Sequence, residues 1–471
     1  MKKTLMDKVG RSKYSQLFGD RDFYRHVLMV VLPMIIQNTL SNVVSLLDNV
    51  MVGQVGTLPM SAVAIDNQLL FVFYLCIWGS IAGAGIYGAQ FFGSGNLEGV
   101  RSTLRYKFIV GAAVTAVAMT VFALFGDTLA GYYIAAGTSD EIRSATIGYA
   151  HSYMAVMLAG LPPFLVTQCY AGTLRESGRT ALPMKAGIAA MLTNFVFNSL
   201  LIFGLCGFPK LGVTGAAIAT VISRFVELFI VVFFAHRDRK NYGFLEGLYR
   251  NFRMPAGLAW QMTSKSFPLL ANEFLWAVGQ AVLLQCYSGR GIATVAALNI
   301  CSTVSQLFCE IYLSLGNASQ ILVGQELGAN RLEEAKRTAY RMETLTVLCC
   351  FASGALLALC GPFIPMIYNT EDAIRVMATR FIMVFVCCMP IFGFAATAYF
   401  ILRSGGKAMV TFLFDSCFSW AVSVPAAWLL THETGLPILT IYLCVNVLDL
   451  IKCIIGFALL RRGVWVRNLV S

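Results

Sequence analysis

The segment 26-HVLMVVLPMIIQNTLSNVVSLLDNVMVG-53 is long enough to cross a bilayer as a helix, yet it carries Pro33, several polar side chains and one carboxylate, Asp48. On a helix Gln37, Ser41, Ser45 and Asp48 follow at spacings of four, four and three, which puts them on one face. An acid near the middle of a lipid-facing surface costs at least ~2.5 kcal/mol, so such a residue turns toward a bundle interior or an aqueous cavity. A hydrogen bond to a neighbouring helix is the plain reading of Asp48; a functional carboxylate is the sharper one, and the rest of the chain weighs between them.

The composition places this helix among many. The chain has 471 residues, 58% of them hydrophobic and 13% charged, and its mean hydropathy is +0.71. Soluble domains carry about 25% charged residues, so the pattern is that of an all-α, multi-pass membrane protein. The first apolar run is long and lacks a small-residue cleavage site, so it is expected to stay as a membrane helix rather than be removed as a signal peptide. The 14 cysteines are scattered through apolar runs with no CxxC pair, which reads as small buried hydrophobes, not metal ligands or disulfides.

Twelve apolar runs follow a basic leader. They lie near Val27–Val52, Ser61–Gly88, Ser102–Phe125, Ile142–Thr173, Ala181–Cys206 and Val213–Ala235, then Thr263–Tyr287, Thr294–Val323, Ala335–Ile367, Ile374–Leu402, Met409–Leu430 and Ile438–Leu460. With the leader in the cytoplasm, alternate loops gather about 29 Lys and Arg against about 5 on the opposite side, a positive-inside bias that puts both termini in the cytoplasm. The net charge of +11 is therefore topology and implies no nucleic-acid partner. Residues 1–26 form the leader, 27–236 a six-helix lobe, 237–258 a cytoplasmic linker rich in charge and glycine, and 259–471 a second six-helix lobe with a short basic tail.

The two lobes are copies. A shift of 235 pairs Pro33 with Pro268, Gln90 with Gln325, Gly93 with Gly328 and Glu98 with Glu333, so that GSGNLEGVR mirrors GANRLEEAK. A shift of 228 pairs Leu174-Arg175 with Leu402-Arg403 and Arg224 with Lys452. Six helices per copy is an even number, so the lobes share one orientation and relate by a pseudo-twofold axis along the membrane normal. Such bundles bind substrate between halves that alternate access.

The repeat fails at the acids. Asp48 falls on Leu283, and Glu273 falls on Asn38. Helix direction places Asp48 near the outer end of the first run, with Asn194 and Asn198 of the fifth run and Thr220 of the sixth at similar depth. A carboxylate, two amides and a hydroxyl suit a proton-switched acid or a Na⁺ site, since hard cations take oxygen ligands. Asn194 and Asn198 are also spaced for ordinary interhelical hydrogen bonds. Glu273, next to Asn272 and five residues past Pro268, is a candidate coupling or substrate residue of the second lobe, as are Glu310 and Asp415. Arg224 with Glu227, and Asp449 with Lys452, have the i,i+3 spacing of structural ion pairs, and Asp66 is expected to be a solvated or capping residue.

In order along the chain, LFGDRDFYRHVLMVVLPMIIQN, DNVMVGQVG from Asp48, GSGNLEGVR with GANRLEEAK, TLRESGRT with ILRSGGK, and GVTGAAIATVISRFVE resemble the multidrug and toxic compound extrusion (MATE) family over essentially the whole length. The resemblance implies a two-lobed, twelve-helix antiporter of the cytoplasmic membrane that exports organic, often cationic compounds in exchange for H⁺ or Na⁺. It implies no other cofactor, a small-molecule partner and surrounding lipid, and a monomer. By the same resemblance Asp48 is similar to the family's first-helix cation-site acid, with Asn194, Asn198 and Thr220 as its partners, and Glu273 to a seventh-helix Glu of several branches. An acid found in helix ten of one branch is missing between Arg375 and Arg403. A lipid-linked oligosaccharide flippase of the wider superfamily is the alternative, but it needs a large cationic cavity, and the Lys and Arg residues here gather in cytoplasmic loops. No HExxH, GxGD, GxSxG or GxxxxGK[ST] motif is present, so nothing points to an enzyme or an ATP-driven pump.

Overall fold

A computed structural model of the chain describes residues 17–134, 138–368 and 370–471, with the side chain of Leu46 left out. Most of the basic leader, residues 1–16, therefore lies outside the described residues, whereas its last residues already belong to a helix.

The described residues form helices α1 (Arg21–Gly53), α2 (Thr57–Gly93), α3 (Leu97–Tyr133), α4 (Asp140–Leu158), α5 (Leu161–Glu176), α6 (Ala181–Phe203) and α7 (Val213–Arg237). They continue as α8 (Ala256–Ser288), α9 (Ile292–Gly328), α10 (Leu332–Cys360), α11 (Asp372–Ser404), α12 (Ala408–Glu433) and α13 (Ile438–Arg462). Eleven of them are each long and apolar enough to cross a membrane, and α4 with α5, bent by 47° at their junction, makes a twelfth crossing. The protein is an all-helical, multi-pass membrane protein.

Several helices outrun the apolar segments that announce them, because hydropathy marks the lipid-facing middle while backbone hydrogen bonding continues into polar ends. α1 begins at Arg21 and α3 at Leu97, each several residues before its apolar run. The fourth run is not one rod. Gly160, Pro162 and Pro163 interrupt it, since proline cannot donate to the preceding turn but is well tolerated at the start of the next helix. α12 is irregular in another way. Its turns Leu413–Cys417 and Ser419–Ser423 are widened to π geometry, and α13 is interrupted at Leu448.

Contacts divide the chain into two compact units, one of 32–88 with 97–263, the other of the described residues up to Val31 with Ala89–Asn96 and Ser264–Ser471. In the first unit α6 packs on α7, and α3 on α4 and α5. Arg101 and Arg105 of α3 hold the interlobe segment: Arg101 donates to the carbonyls of Phe244 (3.2 Å) and Gly243 (3.1 Å), and Arg105 to those of Leu248 (3.1 Å) and Gly247 (3.1 Å). Phe244, Leu245 and Leu248 are buried, so this stretch is docked onto its unit and not a free tether. Lys107, one of the roughly 29 cations that the charge count assigns to cytoplasmic loops, lies 1% exposed and pairs with Glu176 at 2.6 Å, with Thr173 Oγ1 at 3.0 Å. The turn of α3 that carries it is covered by α5, which a charge count along the chain does not register.

In the second unit α11 packs against α9, α10 and α13. The end of α2 crosses α9 there so closely that a Cβ on Gly93 would overlap the Gln325 carbonyl, and a Cβ on Gly328 would overlap that of Gln90. These four residues are two of the pairs aligned by the sequence repeat, and small residues are what such a crossing requires. Gln90 is fully buried and holds the last residues: its amide nitrogen donates to the carbonyls of Ser404 (2.9 Å) and Arg467 (3.3 Å), and its Oε1 accepts the Leu469 N–H at 2.7 Å.

Candidate functional site

The polar face of α1 divides on folding. Gln37 turns inward and accepts from Arg175 Nη2 at 3.1 Å, whereas Ser41 and Ser45 are exposed and Ser41 bonds back to the Gln37 carbonyl of its own helix at 2.9 Å. Asp48, half-buried, meets α6: Asn198 Nδ2 donates to its Oδ1 at 2.5 Å. Asn198 Nδ2 also lies 3.0 Å from Asn194 Oδ1, and Asn194 Nδ2 lies 3.2 Å from Thr220 Oγ1 of α7. The close packing of α6 on α7, with Gly215 against the Leu201 backbone, brings these side chains within reach of each other. All four residues singled out at this depth thus meet in one network.

The Asn194 amide fits the network in either of two orientations, each with a different consequence for Asp48. The Asn194 side-chain atom that faces Asp48 lies 2.8 Å from Oδ1 and 3.2 Å from Oδ2. With nitrogen in that position Asn194 donates to an ionised Asp48 and accepts from Thr220, but its nitrogen then stands 3.0 Å from the Asn198 nitrogen, donor against donor. With oxygen there, the Asn198 and Thr220 contacts are both satisfied, and the close approach to Asp48 is a hydrogen bond only if Asp48 carries a proton. A cation between the oxygens would satisfy the same arrangement. Asn198 Oδ1 is buried without a hydrogen-bond partner, which adds one more free oxygen at the site. The group can therefore hold either a proton on Asp48 or a cation among Asp48, Asn194, Asn198 and Thr220 oxygens.

The second-half acids sit in a different setting. Asp415, on the widened turn of α12, receives Asn272 Nδ2 of α8 at 3.1 Å and lies 3.4 Å from Lys452 Nζ of α13. Ser416 donates to the Asn272 side-chain oxygen at 2.7 Å and to its carbonyl at 3.0 Å, and Asn272 also reaches the Tyr399 hydroxyl at 3.4 Å. Lys452 pairs with Asp449 at 3.4 Å as its spacing suggests, so this lysine serves two carboxylates. Glu273, half-buried beside Asn272, lies in Coulombic reach of Asp415 and Arg403, and Glu310 is half-buried at mid-α9.

Two expectations fail. Arg224 forms no ion pair with Glu227; it donates to the Tyr74 hydroxyl at 2.5 Å and lies over the Tyr74 and Phe164 rings at 5.3 and 4.7 Å. Aromatic faces of α2 and α5 capture the guanidinium before the acid one turn away on its own helix does. Asp66 is neither solvated nor a cap: it is 2% exposed, and its Oδ2 has no hydrogen-bond partner. It lies more than two turns inside α2, whose start at Thr57 precedes its apolar run. Sequence reasoning also passed over Glu343 on α10, which is buried with neither carboxylate oxygen hydrogen-bonded. Its signal was available: it follows Arg341 by two residues, which on a helix places it on nearly the opposite face from that cation.

A family model described as MatE matches residues 33–200 and 268–429, one match in each copy of the repeat. The chain belongs to the MatE family. Members of this family are membrane transporters and not enzymes, which places this chain in transport. Among MatE relatives, the chain is 25% identical over 429 residues to the probable multidrug resistance protein YoeA of Bacillus subtilis (strain 168), with 89% of each chain covered. It is 24% identical over 420 residues to the probable multidrug resistance protein NorM of Thermotoga maritima, covering 88% of this chain and 87% of that one. The solved outward-facing structure of a multidrug resistance MATE family transporter of the MOP superfamily superposes with a TM-score of 0.83 at 17% identity, over 96% of this chain and 98% of the other, and so shares its fold.

Proposed function

We propose that this MatE chain is a secondary active antiporter that exports organic, cationic, multidrug-like compounds across the cytoplasmic membrane, with both termini in the cytoplasm. H⁺ or Na⁺ is the coupling ion, and the two halves alternate access. The observation that carries the reading is the Asp48 network: a carboxylate inside an apolar bundle, beside two amides with a hydroxyl behind them, and with no ion-pair partner among the described residues. Such a group is neutral only when it holds an ion from outside, so loading it changes the charge of the first half and biases one access state over the other. The multidrug substrate class follows the names of the relatives, and Glu273, Glu310 and Asp415, the last paired with Lys452, are the second-half acids we assign to coupling or to an organic cation.

The test is efflux of ethidium, an organic cation, from proteoliposomes with the pH gradient and the Na⁺ gradient imposed separately. Efflux driven by one of the two is expected; efflux that follows neither gradient overturns the antiport reading.

A further inference from the structure

We propose that Asp66 is a second proton-binding carboxyl of the first half, standing between the exposed Asp127–His151 pair and Asp48 and passing protons from that pair to Asp48. The inference rests on the coupling reading above and narrows its ion to the proton.

Asp66 is a buried carboxyl with a bare oxygen, and an ionised oxygen left unpaired in an apolar bundle is costly unless the group takes up a proton or a donor. One turn before it, Ala62 packs with Ala130 of α3 and Ala150 of α4, small residues that draw the three helices together and bury the carboxyl next to their polar ends. On α3, Asp127 lies in Coulombic reach of Asp66 and is bonded to His151 Nδ1 of α4 at 2.9 and 3.2 Å. Both members of that pair are exposed on the surface of the bundle, with side chains 57% and 66% exposed, and Asp127 lies just past the end of its apolar run. Toward the bundle interior stands Tyr153, also on α4, buried, its hydroxyl 3.5 Å from Asn67 Oδ1. Tyr153 lies in Coulombic reach of both Asp66 and Asp48, and of Tyr74 on α2 and Arg224 on α7. The titratable groups around the path are thus Asp48 from α1, Tyr74 from α2, Asp127 from α3, His151 and Tyr153 from α4, and Arg224 from α7.

These groups form an ordered series: an exposed imidazole and carboxylate, a buried carboxyl, a phenol, and Asp48. A proton taken from water by the Asp127–His151 pair moves to the Asp66 carboxylate and leaves the pair as it began. Asp66 then gives its proton to the Tyr153 oxygen while the Tyr153 hydroxyl proton goes to Asp48, so the phenol stays neutral and one negative charge moves from Asp48 to Asp66. Where neighbouring groups are not in direct hydrogen-bonding reach, the hop runs through water.

The test uses the full chain in proteoliposomes with ethidium as probe and an entrapped pH dye. Asp66→Asn is expected to lower proton movement coupled to ethidium efflux by at least about tenfold, and Tyr153→Phe to lower it less. Asp48→Asn, run alongside, separates the two ideas. If Asp66→Asn transports protons at the unaltered rate while Asp48→Asn is uncoupled, the relay is overturned and the coupling reading stands. If both are unaltered, or if Na⁺ alone drives efflux, the proton reading falls with it. Should Asp66→Asn fail to fold, Asp127→Asn at the exposed end is read instead: a shift in the pH profile of coupled proton movement supports the relay, and an unaltered profile overturns it.

Discussion

The polar network around Asp48 and the one around Asp415 occupy the two copies of one repeat, yet they solve the problem of a buried acid in opposite ways. Among the described residues Asp48 meets neutral side chains, with Asn198 donating at 2.5 Å and Asn194, with Thr220 behind it, alongside. Asp415 has Asn272 at 3.1 Å but also Lys452 at 3.4 Å, which a second acid, Asp449, shares. Among the described residues no cation pairs with Asp48, whereas the second network holds one in Lys452. Between them the duplication has kept what the scaffold needs, the reciprocal crossing of Gly93 on Gln325 and Gly328 on Gln90, and has let the charges diverge.

The contrast is open to attack through stability. The largest effect is expected from Lys452→Met, which strands Asp415 and Asp449 in the second unit without their cation. Loss of about 3 kcal/mol or more, read as a lowered midpoint of unfolding in detergent, is the expected outcome, because breaking a buried pair leaves an uncompensated charge. An unaltered midpoint would mean that the two acids are already neutral and that the two networks are alike. Next come Gly93→Ala and Gly328→Ala, each forcing a methyl into a carbonyl across the same crossing. Both should cost ~1–3 kcal/mol and by similar amounts, as overpacking does. A large cost from one and none from the other would show that the crossing is not a shared scaffold feature. The smallest effect belongs to Asp48→Asn. With no protein cation to strand, the amide should leave stability within about 1 kcal/mol of the parent, while ion-driven ethidium efflux is lost. Marked destabilisation with intact efflux would make Asp48 a structural residue and erase the distinction between the halves.

Much of this was legible along the chain, and the reasons differ from residue to residue. Asp48, Asn194, Asn198 and Thr220 could be grouped because helix direction fixes depth, and three helices crossing one slab put equal depths together. The Gly93 and Gly328 crossing was visible as a repeat of residue types, although what the glycines touch was not. Spacing pairs Lys452 with Asp449 on its own helix, and nothing along the chain marks its second partner, Asp415 of α12. The same spacing pairs Arg224 with Glu227, whereas the guanidinium lies over aromatic rings. Asp66, Lys107 and Glu343 all lie within apolar runs, and what the runs do not show is that neighbouring helices bury each of them.

By itself, the sequence determined the number of membrane crossings, the duplication, and the position of each polar group along its own helix. Those follow from the period of the helix and from the cost of polar groups in lipid, both of which act locally on the chain. Only the tertiary structure decided which helix each polar side chain meets, and so which acids find a cation, which find only amides, and which are buried with an oxygen bare. Those outcomes depend on crossings between segments far apart in sequence, and no local periodicity encodes them.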